Sequence, residues 1–433
     1  MLCLGRHTVT NLLSTSGTQF QDWSAAYRLF SESRIDRGQM FSGLRSAYLR
    51  LLPPTAPLCI AVDDSLLPKT GSKIPGVAWR RDPQGPPFQT NLIRAQRVLQ
   101  FSALLPVQNS AAVRGIPVNY LHAPSAPKLK NNASDQQKKE HSKLADELNL
   151  SAQALHQLQH MRGDFGSRRP ILLSDARFTT RRFLRGLSDQ DVLIGRIRKD
   201  AKLFYPPQQQ PARGRRRLYG EPCPTPEQIR QDDSMAWQHV SIHAAGADHD
   251  CKIKVVNRVL WQPAGAQRAV RLIIIAPLAY RPRSGGRLLY RNPAFLICTD
   301  PNLDVQKVVQ YYFWRWDIEV NFREEKSLLG VGHPQVRNPH SCHTTPAFQV
   351  AVYAMLLLAA ARCHHVDVLP RPKWQAHVAS ERTSTQRLLR NLRFEVWGRG
   401  LGLNHFPGFC SPSPGSQNPE KLLAALPSAI LYA

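Results

Sequence analysis

Two short apolar runs that meet acids constrain this chain most. Leu58-Cys59-Ile60-Ala61-Val62 runs into Asp63-Asp64, and Ile171-Leu172-Leu173-Ser174 runs into Asp175. Apolar runs of this length without polar alternation suit strands buried on both faces. Further strand-like runs over 96–107 and 113–121 are rich in Val, Leu or aromatic residues and bounded by Pro, Gly and Asn, and 191–198 reads as another strand. A helical stretch over 134–161 carries Leu144, Leu148, Leu155 and Leu158 at helical spacing, and another spans 179–187. The order is three strands, a helix, a strand, a helix and a strand. It predicts an α/β mixed sheet with helices on its faces.

The flanks of this core read differently. Residues 1–52 predict short helices, either a small DNA-binding module or a helical cap, and the Pro-rich stretch 53–57 sets the boundary. The core then covers 53–198. Residues 199–300 hold a basic loop, Arg213-Gly214-Arg215-Arg216-Arg217, and β-like runs at 240–243, 253–261, 269–275 and 294–299. They read as a β-rich insertion. The core resumes over 301–365, where Pro301 suits the first position of a helix and Gly330 its end. Residues 366–433 form a C-terminal region.

Charge narrows the partners. Lys plus Arg number 57 against 31 Asp plus Glu, a net +26, which points to a polyanion: nucleic acid first, anionic membrane second. The longest apolar run, 348–361, is short of the ~20 residues that span a bilayer, and the N-terminus has no signal-peptide pattern. No membrane is expected. Eight scattered cysteines without a CxxC pair fit reduced thiols in the cytoplasm. Cys363-His364-His365 lacks a second ligand pair at zinc spacing. Lys69-Thr70-Gly71-Ser72-Lys73 has the wrong order for a phosphate loop.

The segment 303–329 carries the chemistry. As one helix it places Tyr312, Arg315, Glu319 and Lys326 within about 60° of arc, at about 100° per residue. A solvated face with intrahelical ion pairs would explain those charges. Six aromatics between Tyr311 and Phe322 argue against full solvation. A third acid here would join the two on the strands. Three carboxylates suit a hard divalent cation, and two such ions can activate an attacking oxygen and stabilise a leaving one.

Tyr312-x2-Arg315-x3-Glu319-x6-Lys326 is similar to the Y-R-E-K signature of DDE transposases of bacterial insertion sequences. Val62-Asp63-Asp64-Ser65 and Ser174-Asp175-Ala176-Arg177-Phe178 resemble the strands that carry that family's first two acids. The resemblance covers about 58–340. It implies a ribonuclease-H-like fold. The 144 residues between Asp175 and Glu319 match the subgroup with a β-rich insertion before the last catalytic helix. It also implies catalytic, metal-binding roles for Asp64, Asp175 and Glu319, with Asp64 preferred to Asp63 because it directly precedes Ser65. Mg2+ or Mn2+ would be the cofactor, and Tyr312, Arg315 and Lys326 would contact DNA. The implied reaction is hydrolysis at transposon-end inverted repeats, then attack of the freed 3′ hydroxyl on target DNA. The protein would act as a dimer in the DNA complex, in a bacterial cytoplasm at the nucleoid. Trp261 and Tyr290 are candidates for stacking on a flipped base, or for packing. A nuclease of the same fold that no longer joins strands, and a catalytically inactive DNA-binding descendant, are the alternatives.

Overall fold

The computed structural model of the chain describes residues 1–363 and 382–398, apart from 87, 212 and 282–284. Most of the expected C-terminal region 366–433, and His364 and His365, lie outside these residues.

Three helices come first, α1 (Val9–Ser16), α2 (Ser24–Ser31) and α3 (Arg37–Leu51). All three lie within the stretch 1–52 read as short helices, where the last is the longest. Asp36 caps it by accepting from the Gln39 backbone N–H, and it buries Phe41, Leu44 and Tyr48. The sheet then opens with β1 (Leu58–Pro68), β2 (Ala78–Arg81), β3 (Leu92–Pro106) and β4 (Val113–His122). Next come α4 (Asp135–Glu147), α5 (Leu150–Arg162), β5 (Pro170–Ser174), α6 (Arg181–Gly186) and β6 (Val192–Arg196). The helix expected over 134–161 is thus two. Asn149 breaks it, because its side chain caps α5 by accepting from the Ser151 and Ala152 N–H groups.

The β-rich stretch contains β7 (Leu203–Phe204), β8 (Pro222–Cys223), α7 (Pro226–Gln231), β9 (Gln238–Ala244), β10 (Ala247–Trp261) and β11 (Ala269–Ile275). It closes with β12 (Ala279–Tyr280), β13 (Leu289–Tyr290) and β14 (Ala294–Cys298). Helices α8 (Val305–Trp314), α9 (Asp317–Ser327), α10 (Pro339–Arg362) and α11 (Thr385–Arg393) follow. Pro301 does not start a helix as expected; α8 begins after Asp304, whose side chain accepts from the Lys307 N–H. Gly330 does follow the end of α9, with φ 62°, a left-handed conformation that glycine adopts without strain.

One mixed sheet runs through the molecule. Its order is β2-β3-β1-β5-β6-β14-β11-β10-β7-β8, with β4 on β3 and β9 on β10. β1 is antiparallel to β3 and parallel to β5, which is parallel to β6. The α/β mixed sheet read from the sequence is what the chain forms. The strands after β6 extend that same sheet, since β14 pairs antiparallel with β6. Only the β12–β13 ribbon stands apart among the described residues.

Both faces are covered. Cys59 and Ala61 of β1 face a core that includes Tyr311, Ile318 and Phe322 of α8 and α9. Ile60 and Val62 face a second core with Phe178 and Phe183. Helix α10 is long and apolar enough to cross a membrane, but most of its apolar stretch is buried inside the protein, and it packs on α3 and β4.

Candidate active site

Strand parity decides which acid of β1 faces which helix. β1 continues to Pro68, so Asp63 and Asp64 sit in mid-strand rather than at its end and point to opposite faces. Three contacts fix the face under α9. Lys326 Nζ donates to Ser65 Oγ at 2.6 Å, Gln100 Nε2 donates to Glu325 Oε1 at 2.9 Å, and Arg315 Nη1 lies 3.6 Å from Asp63 Oδ2. Ser65 shares a face with Asp63, and Gln100 is the β3 partner of Asp63. Asp63 therefore faces α9, and Asp64 faces away from it.

The parallel register brings in the next acid. The last paired position of β1 and β5 is Val62 with Ser174, so Asp63 and Asp175 follow side by side. Burial, then the charge of Asp175, pushes the Asp63 carboxyl up to about 7; Arg315 opposes the shift.

Glu319 reaches the same face through a break in the helix expected over 303–329. α8 ends at Trp314 and α9 starts at Asp317, so Tyr312 and Arg315 do not share a continuous helix with Glu319 and Lys326. Arg315 sits at the junction. Its Nη2 donates to Glu319 Oε1 at 2.7 Å, so one guanidinium spans Glu319 and Asp63. The Arg315 side chain is only 11% exposed, and its Nε and Nη1 are buried without a hydrogen-bond partner. Its cation lies over the ring of Tyr312, 5.7 Å from the centroid. Burial raises the Tyr312 phenol above its ordinary pKa and lowers the Lys326 ammonium below its own.

Asp64 keeps different company. Arg177 Nη1 donates to both of its carboxylate oxygens, at 2.7 and 2.6 Å. Arg177 also donates its backbone N–H to Asp175 Oδ1 at 2.8 Å. Arg177 stands in the string that resembles the family, yet the sequence assigns it no role. Its partner lies 113 residues away, a contact no local pattern discloses.

The fit to a divalent ion rests on donor chemistry. Asp63, Asp175 and Glu319 offer carboxylate oxygens only, the donor type hard cations take, and the Asp175 carboxylate lies close enough to Asp63 to raise it further beyond burial. Among the described residues no three His, Cys, Asp or Glu side chains already form a ligand cluster. Glu319, 34% exposed, would have to exchange Arg315 for the ion.

The remaining expectations fall as follows. Trp261 is partly buried against the core and lines a cavity of about 270 Å³ with Ala176, Thr179, Arg196 and Arg198. Tyr290 is 64% exposed on the β12–β13 ribbon. Lys69 Nζ donates to the carbonyls of Gly332 and Pro334, a structural tie between loops. Residues 213–217 are exposed.

Residues 1–253 match the family described as DDE superfamily endonuclease. No curated protein matches the chain. The match spans Asp63, Asp64 and Asp175 and ends before Glu319. It covers more than half of the chain, and this protein belongs to the DDE superfamily endonuclease family.

Proposed function

We propose that the protein is a DNA transposase of the DDE type, with Asp63, Asp175 and Glu319 as its three carboxylates. The observation that carries this reading is that Asp63 and Asp175 follow side by side after the last paired position of the parallel strands β1 and β5, under the helix that bears Glu319. The strand order β4-β3-β1-β5-β6, antiparallel then parallel, supports a ribonuclease-H-like core. The strands between β6 and α8 support reading 199–300 as a β-rich insertion. The sequence-based choice of Asp64 gives way to Asp63, because Asp64 lies on the far face and is held by Arg177.

When bound, Mg2+ or Mn2+ would supply Lewis-acid activation of the attacking and leaving oxygens at a phosphodiester. Asp63 and Asp175 would hold it from the strands, and Glu319 from α9. Arg315 would then be released from Glu319, its guanidinium free to take a DNA phosphate. Lys326, tied to Ser65 on β1, would keep α9 in place as well as add positive charge near DNA. Tyr312 positions Arg315 through its ring. The net charge of +26 supports DNA as the partner and a place at the nucleoid. Two copies acting together on two transposon ends complete the reading.

The test is strand transfer. Purified protein with Mn2+ or Mg2+ and DNA bearing the inverted repeats that flank its coding region should cut at the ends and join them to a target plasmid. Cleavage without joining would assign the chain as a metal-dependent nuclease. DNA binding with neither reaction would assign it as an inactive descendant.

A further inference from the structure

The face of the sheet opposite the carboxylate pair carries a second charged cluster. Arg80 of β2 and Arg97 of β3 share that face with Asp64, because Arg80 pairs with Ile93, Arg97 with Leu66, and Leu99 with Asp64. Arg177 reaches the same carboxylate from the turn after β5. Three guanidiniums thus share one side of the sheet with Asp64, and Arg177 alone bonds it. They are close enough to act on one another: burial first lowers the Arg97 pKa, the charges of Arg80 and Arg177 lower it further, and Asp64 opposes them.

The three arginines are not equivalent. Arg97 is committed to the protein, donating through Nε to the Ala123 carbonyl at 3.0 Å and through Nη2 to that of Pro124. Arg177 uses Nη1 on Asp64 and keeps its side chain 57% exposed. Arg80 donates through Nη1 to Ser125 Oγ at 3.1 Å, but its Nε and Nη2 are buried without a partner. Two buried donors on one cation are costly to leave unmet. Asp64 is already occupied by Arg177, so the cluster lacks an acceptor and holds a surplus of positive charge.

We propose that Arg80 and Arg177 form an oxyanion grip for a backbone phosphate of bound DNA, with Asp64 as the positioning residue that aims Arg177 and Arg97 as the fixed support. This rests on the reading of the chain as a DNA-cutting enzyme. It deepens that reading by adding a phosphate subsite one strand face away from the carboxylates. A guanidinium fork is matched to phosphate geometry. The grip would hold the DNA strand just beyond the reacting phosphodiester. It also explains why the second acid of the Asp63-Asp64 pair is an acid at all: a neutral residue there would leave three buried or half-buried cations with no counterion and Arg177 unaimed.

The experiment is fluorescence anisotropy of a short labelled DNA duplex with the full chain, in chelator so that nothing is cut, across a salt series. Each lost phosphate contact lowers the slope of log binding constant against log salt by about 1. Arg80→Gln and Arg177→Gln should each lose about 1 from the slope, the double variant about 2, and Arg80→Lys should keep most of the wild-type slope. A packing role alone would move thermal stability and leave the slope in place. Arg177 is on the surface, so Arg177→Gln carries the test if Arg80→Gln does not fold. Wild-type binding with unchanged slopes in the Gln variants would overturn the grip and leave the function standing. A wild-type chain that binds no DNA would overturn both.

Discussion

At the scale of single residues, the account turns on one alternation. Asp63 and Asp64 are neighbours in sequence and on opposite sides of a sheet. Asp63→Asn should reduce metal-dependent cleavage by at least the ~10–100-fold that loss of even an outer-shell metal partner costs. Asp64→Asn should retain measurable cleavage with weaker DNA binding. A plasmid-nicking assay on both variants checks this, and the opposite ranking would return Asp64 to the metal. The sequence could not make this choice. Leu58 to Val62 is apolar on both faces, so it carries no alternation from which to count parity. The parity became readable only through Ser65, Gln100 and the register with Ser174. A second buried acid gives a prediction about stability. Burial pushes Glu325 up from 4.5 to about 8, against a hydrogen bond from Gln100. The folded state therefore holds a proton that the unfolded chain releases between those values. Stability should fall as pH rises from about 4.5 to about 8, by up to about 1.4 kcal/mol per pH unit, and flatten above. Urea unfolding midpoints measured over this range should lose that slope in Glu325→Gln, and an unchanged slope would assign it to other groups.

At the scale of elements, the strands were legible and the helix breaks were not. Apolar runs bounded by turn residues gave β3, β4, β5 and β6 to within a few residues and the start of β1, which runs on past its acids to Pro68. The segment 303–329 has unbroken helical spacing and no Gly or Pro, and nothing local marks the junction at Arg315 and Trp316. Tertiary contacts sit on both sides of that junction: Arg315 reaches Glu319 and Asp63, and Asn321 donates to the Gly115 carbonyl and contacts the Tyr353 hydroxyl. Gly115 of β4 lies directly against α9. A Cβ there would lie 2.7 Å from Asn321 Oδ1 and 3.2 Å from the Asp317 carbonyl. Gly115→Ala should push α9 off the sheet, costing ~1–3 kcal/mol and lowering cleavage more than DNA binding. A variant with wild-type melting temperature and cleavage would mean that α9 has slack and that its seat on β4 does not position Glu319.

At the scale of the whole molecule, a single sheet joins the carboxylates to a basic, β-rich half. The sequence indicated both parts, an α/β core and a β-rich stretch, but not that β14 would pair with β6 and make the two continuous. Such pairing depends on strand edges left free by the core, which sequence patterns do not record. The charge of +26 was legible at once, and it predicts a steep fall of DNA affinity with salt. The family match covers Asp63 and Asp175 and ends before Glu319. The claim that these three act together is tested most directly by one set of reactions. Wild type, Asp63→Asn, Asp175→Asn and Glu319→Gln are assayed for DNA cleavage with Mg2+ or Mn2+, beside gel-shift binding of the same DNA. The account predicts metal-dependent cutting by the wild type alone, with binding retained in all three variants. Cleavage by Glu319→Gln at the wild-type rate would contradict it.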